Sequence, residues 1–386
     1  MAKINVLHVI PTFKDSSITR IVEDIIEHLN PKAYNWVVAA PEDGDKKEPL
    51  EQLGAITYFY HVDETGESVG RLGAPKILSK IIDDNAIDIV HTHTPATTVL
   101  TWLGMRLSHK PVIYTKHLLT FPPDRKHGWL YTFVDRVSLY MANHLMPVSR
   151  TMGEIITEWP FIGEAKVTPI QNAIDYNYFN APEERESCRR EFGFGPEHVV
   201  FGYTGRIEPV KRLDLLLHAF ATIYPKDKNA RLLLAGVGGL MDELKALSAE
   251  LGISDAVTWA GWRSDVPRLL AAMDVYVQSS ANEGLSLSIL EAMSAGKVVV
   301  ATDVGGANEV IDPYKNGIIV PPEDLEKLSK AMQDILAVGD KRVEMGKSGQ
   351  SLILNDFNVM RMTSSYEKLY HKYAPVSKKP QASAIS

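Results

Sequence analysis

Glu283 and Glu291 stand eight positions apart in the stretch 279–311, SSANEGLSLSILEAMSAGKVVVATDVGGANEVI. That spacing by itself carries nothing; the setting of each carboxylate does. Glu283 sits beside Gly284 in a small-residue turn, directly after the apolar, β-branched run 274–278. Glu291 falls about two turns into a helix marked by Leu285, Ile289, Leu290 and Met293. A carboxylate among Leu290, Ala292 and Met293 needs a partner, and the hydroxyls of a sugar or a ribose would serve. The alternative makes Glu291 a solvated helix residue and Glu283 a helix-start carboxylate favoured by the dipole.

A second stretch, 201–214, reads FGYTGRIEPVKRLD. A strand ends in Thr204-Gly205, two cations follow at Arg206 and Lys211, and a helix starts near Arg212. Arg binds a phosphate through two parallel N–H groups and Lys as a point charge, so the pair suits a diphosphate. An ordinary basic loop is the alternative. Histidines form a third group: His91 and His93 close the run 88–93, and His117 leaves the strand 112–115. Two histidines without a nearby Asp, Glu or Cys cluster are a weak metal signal. Gly236, Gly238 and Gly239 follow a strand, but Met241 is too bulky for the third position of a dinucleotide fingerprint.

These residues need a scaffold, and the chain supplies one by alternation. Apolar runs at 4–10, 36–40, 56–60, 88–90, 112–115 and 144–148 read as strands, separated by helical spacing at 18–29, 77–82, 99–107 and 129–141. Ser149 is placed to cap the helix that follows the last of these strands. The polar segment 175–197 reads as a linker. Alternation then resumes, with strands at 199–203, 232–235, 257–260, 274–278, 297–301 and 317–320. Two doubly wound parallel α/β domains in tandem are expected, 1–175 and 176–356, with ligands at the carboxyl ends of the strands and a site in the cleft between them. Two helical segments follow, 343–354 and 357–373, and the tail 375–386 is expected to be disordered.

The stretch 279–311 resembles the signature of retaining glycosyltransferases of family 4, glycosyl transferases group 1, with the GT-B fold. The matching residues are Glu283-Gly284, Glu291-Ala292-Met293, Gly296, 298–302, Gly305-Gly306 and Glu309; the family's Pro is missing at Lys297-Val298. Gly205-Arg206, Lys211 and Asp214 fit a second family motif, 88–93 fits D-(I/V)-(I/V)-H-x-H, and 115–117 fits T-x-H. The resemblance implies a GT-B enzyme of two Rossmann-like domains whose final helix, 357–373, returns to the first. It implies sugar transfer from a nucleotide-diphosphate donor, with retention at the anomeric carbon and no permanently bound cofactor or metal.

The resemblance also implies roles. Arg206 and Lys211 hold the diphosphate, Glu291 the ribose hydroxyls, and Glu283 with the N–H groups of Gly284, Leu285 and Ser286 the donor sugar. Gly236 and Arg263 lie near the nucleotide, Asp265 starts a helix, and His117 bonds sugar hydroxyls or phosphate unless it is a buried structural histidine. His93 lines the acceptor side. The departure lies at the first turn, where Ser16-Ser17 stand in place of Gly-Gly; their hydroxyls are placed to cap the helix and offer polar contacts.

Composition narrows the partners. A net charge of −7 argues against nonspecific nucleic-acid binding. The single cysteine, Cys188, excludes an intramolecular disulfide, fits a reducing compartment and reads as incidental in the charged run 183–191. No signal peptide or apolar span is evident, so the expectation is a cytoplasmic protein with a saccharide or lipid-linked acceptor. The aromatic and basic run 121–140, with Arg125, Lys126, Trp129, Tyr131, Phe133 and Arg136, suits either a core-facing helix or an edge touching the inner membrane face. Two other functions fit the same residues: a nucleotide-sugar epimerase, and a nucleotide-sugar-binding subunit without catalysis.

Overall fold

Runs such as Val298–Thr302 (VVVAT), buried at every position, have no polar face and are stable only inside a sheet covered on both sides. Twelve strands occur among the described residues of the computed structural model, which describes residues 2–61, 70–105, 110–118 and 128–375, without the side chains of Arg71 and Trp129. Residues 376–386 of the expected tail, and Arg125 and Lys126, lie outside the described residues.

The chain divides into two units, Met1–Gln171 with Val359–Ser386, and Asn172–Asn358. In the first, β1 (Ile4–Val9), β2 (Tyr34–Ala40), β3 (Ile56–Phe59), β4 (Ile89–Thr92), β5 (Val112–Lys116) and β6 (His144–Pro147) form one parallel sheet in the order β3-β2-β1-β4-β5-β6. In the second, β7 (Val199–Thr204), β8 (Ala230–Ala235), β9 (Val257–Gly261), β10 (Val275–Gln278), β11 (Val298–Thr302) and β12 (Gly317–Val320) are ordered β12-β11-β10-β7-β8-β9, again parallel. Read from the far edge, the second order repeats the first, the doubly wound arrangement of dinucleotide-binding folds.

Side-chain alternation sorts the two faces of each sheet. In the second unit Phe201, Leu232, Leu234, Val275, Val277, Val298 and Val300 share one core with Leu216 and Phe220. In the first, Leu7, Val9, Val37, Ala39, Val90 and Val112 pack on Leu78 and Ile82. The opposite parity of the first sheet carries His8 and His91, paired in register across β1 and β4. Helix Val359–Tyr373 lies on that face, with Tyr366 and Tyr370 one turn apart.

One expected connection is folded instead. The segment read as a linker, 175–197, forms helices Tyr176–Phe179 and Arg185–Glu191 of the second unit. Arg185 and Arg189 hold it by bonding both carboxylate oxygens of Asp274, at 2.5 and 3.2 Å. Cys188 lies buried on the second of these helices, and burial pushes its thiol up to about 11, the reverse of an activated nucleophile.

Candidate active site

The turn after β10 is fastened on two sides. Ser279 Oγ donates to the carbonyls of Lys211 and Arg212, at 2.9 and 2.8 Å, and Ala281 N–H to Val210, at 2.8 Å. On the other side Thr302 Oγ1 donates to Ser280 O at 2.6 Å, and Gly306 N–H to Gly284 O at 2.7 Å. Gly305 has φ +60°, and a Cβ there would lie 1.8 Å from Gly284 O, so this approach needs glycine.

Held this way, Glu283 is buried and accepts from Lys211 Nζ at 2.5 Å and Ser280 Oγ at 2.8 Å through the same oxygen, Oε1. The helix that follows, Leu287–Ser294, has no side-chain cap at Ser286, whose hydroxyl donates instead to Gln278 Oε1 at 2.7 Å. Its first N–H groups therefore suit an anion. The helix closes with Gly296 at φ +73°, whose N–H reaches Met293 O while Lys297 N–H reaches Ala292 O. Glu291 on this helix is 5% exposed, so it is not a solvated surface residue. Its charge, after burial, helps push the Tyr276 hydroxyl up to about 12. Leu285 is buried, and its carbonyl accepts from Asn172 Nδ2 at 2.7 Å.

The loops after β7, β8 and β9 are zipped together by their backbones. Gly205 N–H donates to Ala235 O at 3.0 Å, Ile207 N–H to Val237 O at 2.9 Å, and Gly236 N–H to Gly261 O at 2.7 Å. A Cβ at Gly236 would lie 1.8 Å from Gly205 O, and one at Gly238 1.9 Å from Ile207 O. These glycines thus serve the close packing of loops.

The two cations read as one clamp face separate partners. Lys211 is committed to Glu283, whereas the Arg206 side chain is 73% exposed and bonds Glu208 at 2.6 Å. Arg263 is engaged as well, forking onto both carboxylate oxygens of Asp265 and onto Glu191. These bonds hold the Asp265 carboxyl down at about 2. Asp265 does precede helix Val266–Ala272, but it makes no side-chain cap; Arg263 and Arg268 take its oxygens.

In the first unit, four histidines adjoin. β-Strand alternation places His91, His93, Thr115 and His117 on one parity, and β1 adds His8, which the sequence reading missed. The available signal was a lone histidine on the alternating Ile4, Val6, His8 face. His8 Nδ1 lies 3.1 Å from His93 Nε2, and His93 Nδ1 lies 3.3 Å from His117 Nε2. His91 contacts Tyr370 Oη at 2.8 Å and Thr115 Oγ1 at 2.7 Å. Burial lowers the pKa of all four, to about 3 at His8 and His117, so the rings are neutral at physiological pH. His8, His91 and His93 have ring nitrogens within 4.8 Å of one another, as a metal would need, but both nitrogens of each ring already face a hydrogen-bonding partner. Beside His117, Lys116 and Asp135 form a buried pair at 2.5 Å that fixes the end of β5.

The first turn differs from expectation in who supplies its glycine. Ser16 caps helix Ser17–His28 by accepting from Thr19 N–H, and Ser17 is exposed. The close approach is made by Gly44, where a Cβ would meet Lys14 N at 2.4 Å. In helix Gly128–Met141 Asp135, Ser138 and Leu139 are buried, whereas Leu130, Phe133 and Tyr140 are exposed. Among the described residues no helix is long and apolar enough to cross a membrane.

Comparison with known proteins places this geometry. The chain is 27% identical over 304 residues to the UDP-Gal:alpha-D-GlcNAc-diphosphoundecaprenol alpha-1,3-galactosyltransferase of Escherichia coli, covering 76% of this chain and 77% of that one. It is 26% identical over 371 residues to the putative glycosyltransferase EpsD of Bacillus subtilis, covering 91% and 93%. Its fold is similar to that of Anabaena HepE, solved in complex with UDP-glucose: TM-score 0.82, 22% identity, 95% of this chain and 99% of that one. The family model for Glycosyltransferase Family 4 matches residues 18–178, and that for Glycosyl transferases group 1 matches 184–352. With both halves matched in tandem, on two sheets of the same strand order, the chain belongs to the group 1 glycosyltransferases of the GT-B fold.

Proposed function

We propose that this glycosyltransferase moves a hexose from a uridine-diphosphate sugar to a saccharide or lipid-linked acceptor with retention of anomeric configuration. The observation that carries the reading is the fastened turn of the second unit, where Lys211 grips Glu283 and the buried Glu291 follows on the next helix. Relatives support the donor: HepE was solved with UDP-glucose, and the E. coli relative is named for UDP-galactose and a diphosphoundecaprenol-linked acceptor.

In this reading Glu291 takes the ribose hydroxyls, and Glu283 with the N–H groups of Gly284, Leu285 and Ser286 takes the donor sugar. Lys211, joined by Arg206 once it leaves Glu208, stabilises the charge on the departing diphosphate. The acceptor hydroxyl attacks from the side that the diphosphate leaves, and its proton passes to the departing phosphate oxygen. No protein nucleophile is needed. His117 serves as a hydrogen-bonding group for ligand. An acceptor carried on lipid would suit a cytoplasmic enzyme touching the membrane through the exposed Leu130 and Phe133.

The test incubates UDP-glucose and UDP-galactose with and without candidate acceptors and follows product and anomeric configuration. Transfer requires acceptor, an epimerase converts donor without it, and a binding subunit leaves donor unchanged. Lys211→Ala and Glu291→Ala are each expected to lower turnover by about 10²–10³-fold. Wild-type turnover in either variant would sink the assignment.

A further inference from the structure

The histidines of the first unit belong to a longer run of contacts. Tyr366 Oη lies 3.3 Å from Thr115 Oγ1, and Thr115 Oγ1 lies 2.7 Å from His91 Nε2. His91 Nδ1 is 2.8 Å from Tyr370 Oη, which in turn is 3.4 Å from His8 Nε2. His8 Nδ1 then meets His93 Nε2, and His93 Nδ1 meets His117 Nε2. Every ring is entered through Nε2 and left through Nδ1.

A neutral imidazole has one N–H and one lone pair, and a hydroxyl has one proton to give. An inner ring that receives a hydrogen bond on one nitrogen must therefore give one from the other, and a buried Thr115 or Tyr370 hydroxyl that accepted on both sides would leave its own proton without an acceptor, so all links point the same way. Two directions are open. In one, Tyr366 donates to Thr115 and each member passes the bond on to His117. In the other, His117 donates first and Tyr366 only accepts. Tyr366 is fully buried, and among the described residues its hydroxyl has Thr115 as its one partner. In the second direction its proton would be buried without an acceptor, a costly arrangement.

We propose that these groups form one directed hydrogen-bond chain from Tyr366 to His117, which holds His91, His8, His93 and His117 all as the Nδ1–H tautomer. Burial keeps the rings neutral, as the chain requires. The chain ends on His117 Nδ1, which has no hydrogen-bond partner among the described residues and so offers an N–H to an incoming oxygen. Tyr366 and Tyr370 are then positioning residues: they touch no ligand, yet they decide whether His117 gives or accepts a hydrogen bond. That His117 meets the sugar or phosphate of a donor rests on the function proposed above; the direction of the chain does not.

The experiment is nitrogen-15 NMR of the histidine rings in the ligand-free full chain at neutral pH, assigned by single His→Gln variants. Four rings with protonated Nδ1 and unprotonated Nε2 are expected, the opposite of the form that free histidine favours in water. Tyr366→Phe combined with Thr115→Val removes both hydroxyl protons upstream of His91 and is expected to move His117 toward the Nε2–H form, with reduced turnover. Should that variant fail to fold, Tyr370→Phe interrupts the chain between His91 and His8. A wild-type ring in the Nε2–H or imidazolium form, or a His117 tautomer unmoved in a folded variant, would overturn the chain. An intact Nδ1–H pattern in a protein that transfers no sugar would overturn the proposed function and leave the chain standing.

Discussion

Lys297 brings a titration close to neutral pH. It is buried behind the turn that ends helix Leu287–Ser294, and its ammonium donates to Ala271 O at 3.1 Å. Burial first, and then the charge of Arg185, lowers its pKa from 10.5 to about 7, with Asp274 pulling the other way. The unfolded chain keeps this proton up to about pH 10.5, where the folded chain has already released it, so stability rises with pH from about 7 to about 10.5 and is lowest below 7. A proton held that much more weakly in the folded chain corresponds to about 4 to 5 kcal/mol. Lys297→Met is therefore expected to raise the unfolding free energy at pH 6 by a few kcal/mol, on the order of that figure less about 1 kcal/mol for the lost bond. The gain should shrink as denaturant unfolding is repeated toward pH 10; equal gains at pH 6 and pH 10 would mean that Lys297 does not titrate. At this scale sequence is informative about setting and poor at pairing. The apolar neighbours of Glu291 announce its burial. The Lys211–Glu283 contact joins residues 72 positions apart and exists only once β7 and β10 lie side by side.

Elements were legible where their pattern was long. β11 shows itself in five consecutive buried residues, and helix Leu325–Ala337 in its spacing. Helices Tyr176–Phe179 and Arg185–Glu191 were not legible, because pieces so short are unstable alone: the second forms here on contacts with Asp274, about 90 positions away, and the first receives a bond from Ser294 Oγ at the Tyr176 carbonyl. The glycine-rich turn after β8 was legible as a turn, while its purpose, a tight zip against the β7 loop, needed the fold. That purpose gives a paired prediction. Gly236→Ala drives a Cβ into Gly205 O at φ +147° and is expected to cost more than about 2 kcal/mol of stability along with activity. Gly239→Ala, three residues on, meets nothing within 4 Å and is expected to stay within about 0.5 kcal/mol of wild type. Chemical denaturation of both variants checks the contrast; similar losses would mean that the zip is not what the glycines serve.

At the scale of the molecule, two units each carry a complete sheet and a core of their own. Calorimetry is expected to resolve two transitions. The groups proposed to hold the ribose and the diphosphate, His117 apart, lie in Asn172–Asn358, so a nucleoside diphosphate at about 100 times its dissociation constant should add about 2.7 kcal/mol chiefly to the transition of that unit. Lys211→Ala should abolish that added stability. A panel of nucleoside diphosphates would also identify the base, which nothing in the alternation of strands and helices reveals. Stabilisation kept in full by Lys211→Ala would place the nucleotide elsewhere.

The first unit takes up a helix that is made after the second unit. Its sheet is finished at β6, but Tyr366 and Tyr370 reach His8, His91 and Thr115 only after the whole of Asn172–Asn358 has been synthesised. On the ribosome the second unit, one unbroken length of chain, can fold while the histidine face of the first is still bare. A message cut short within the last helix would thus yield a protein whose second unit is sound and whose first is open on one side, a surface for chaperones to find. Only a chain translated through helix Val359–Tyr373 can bury the face that the first strand began.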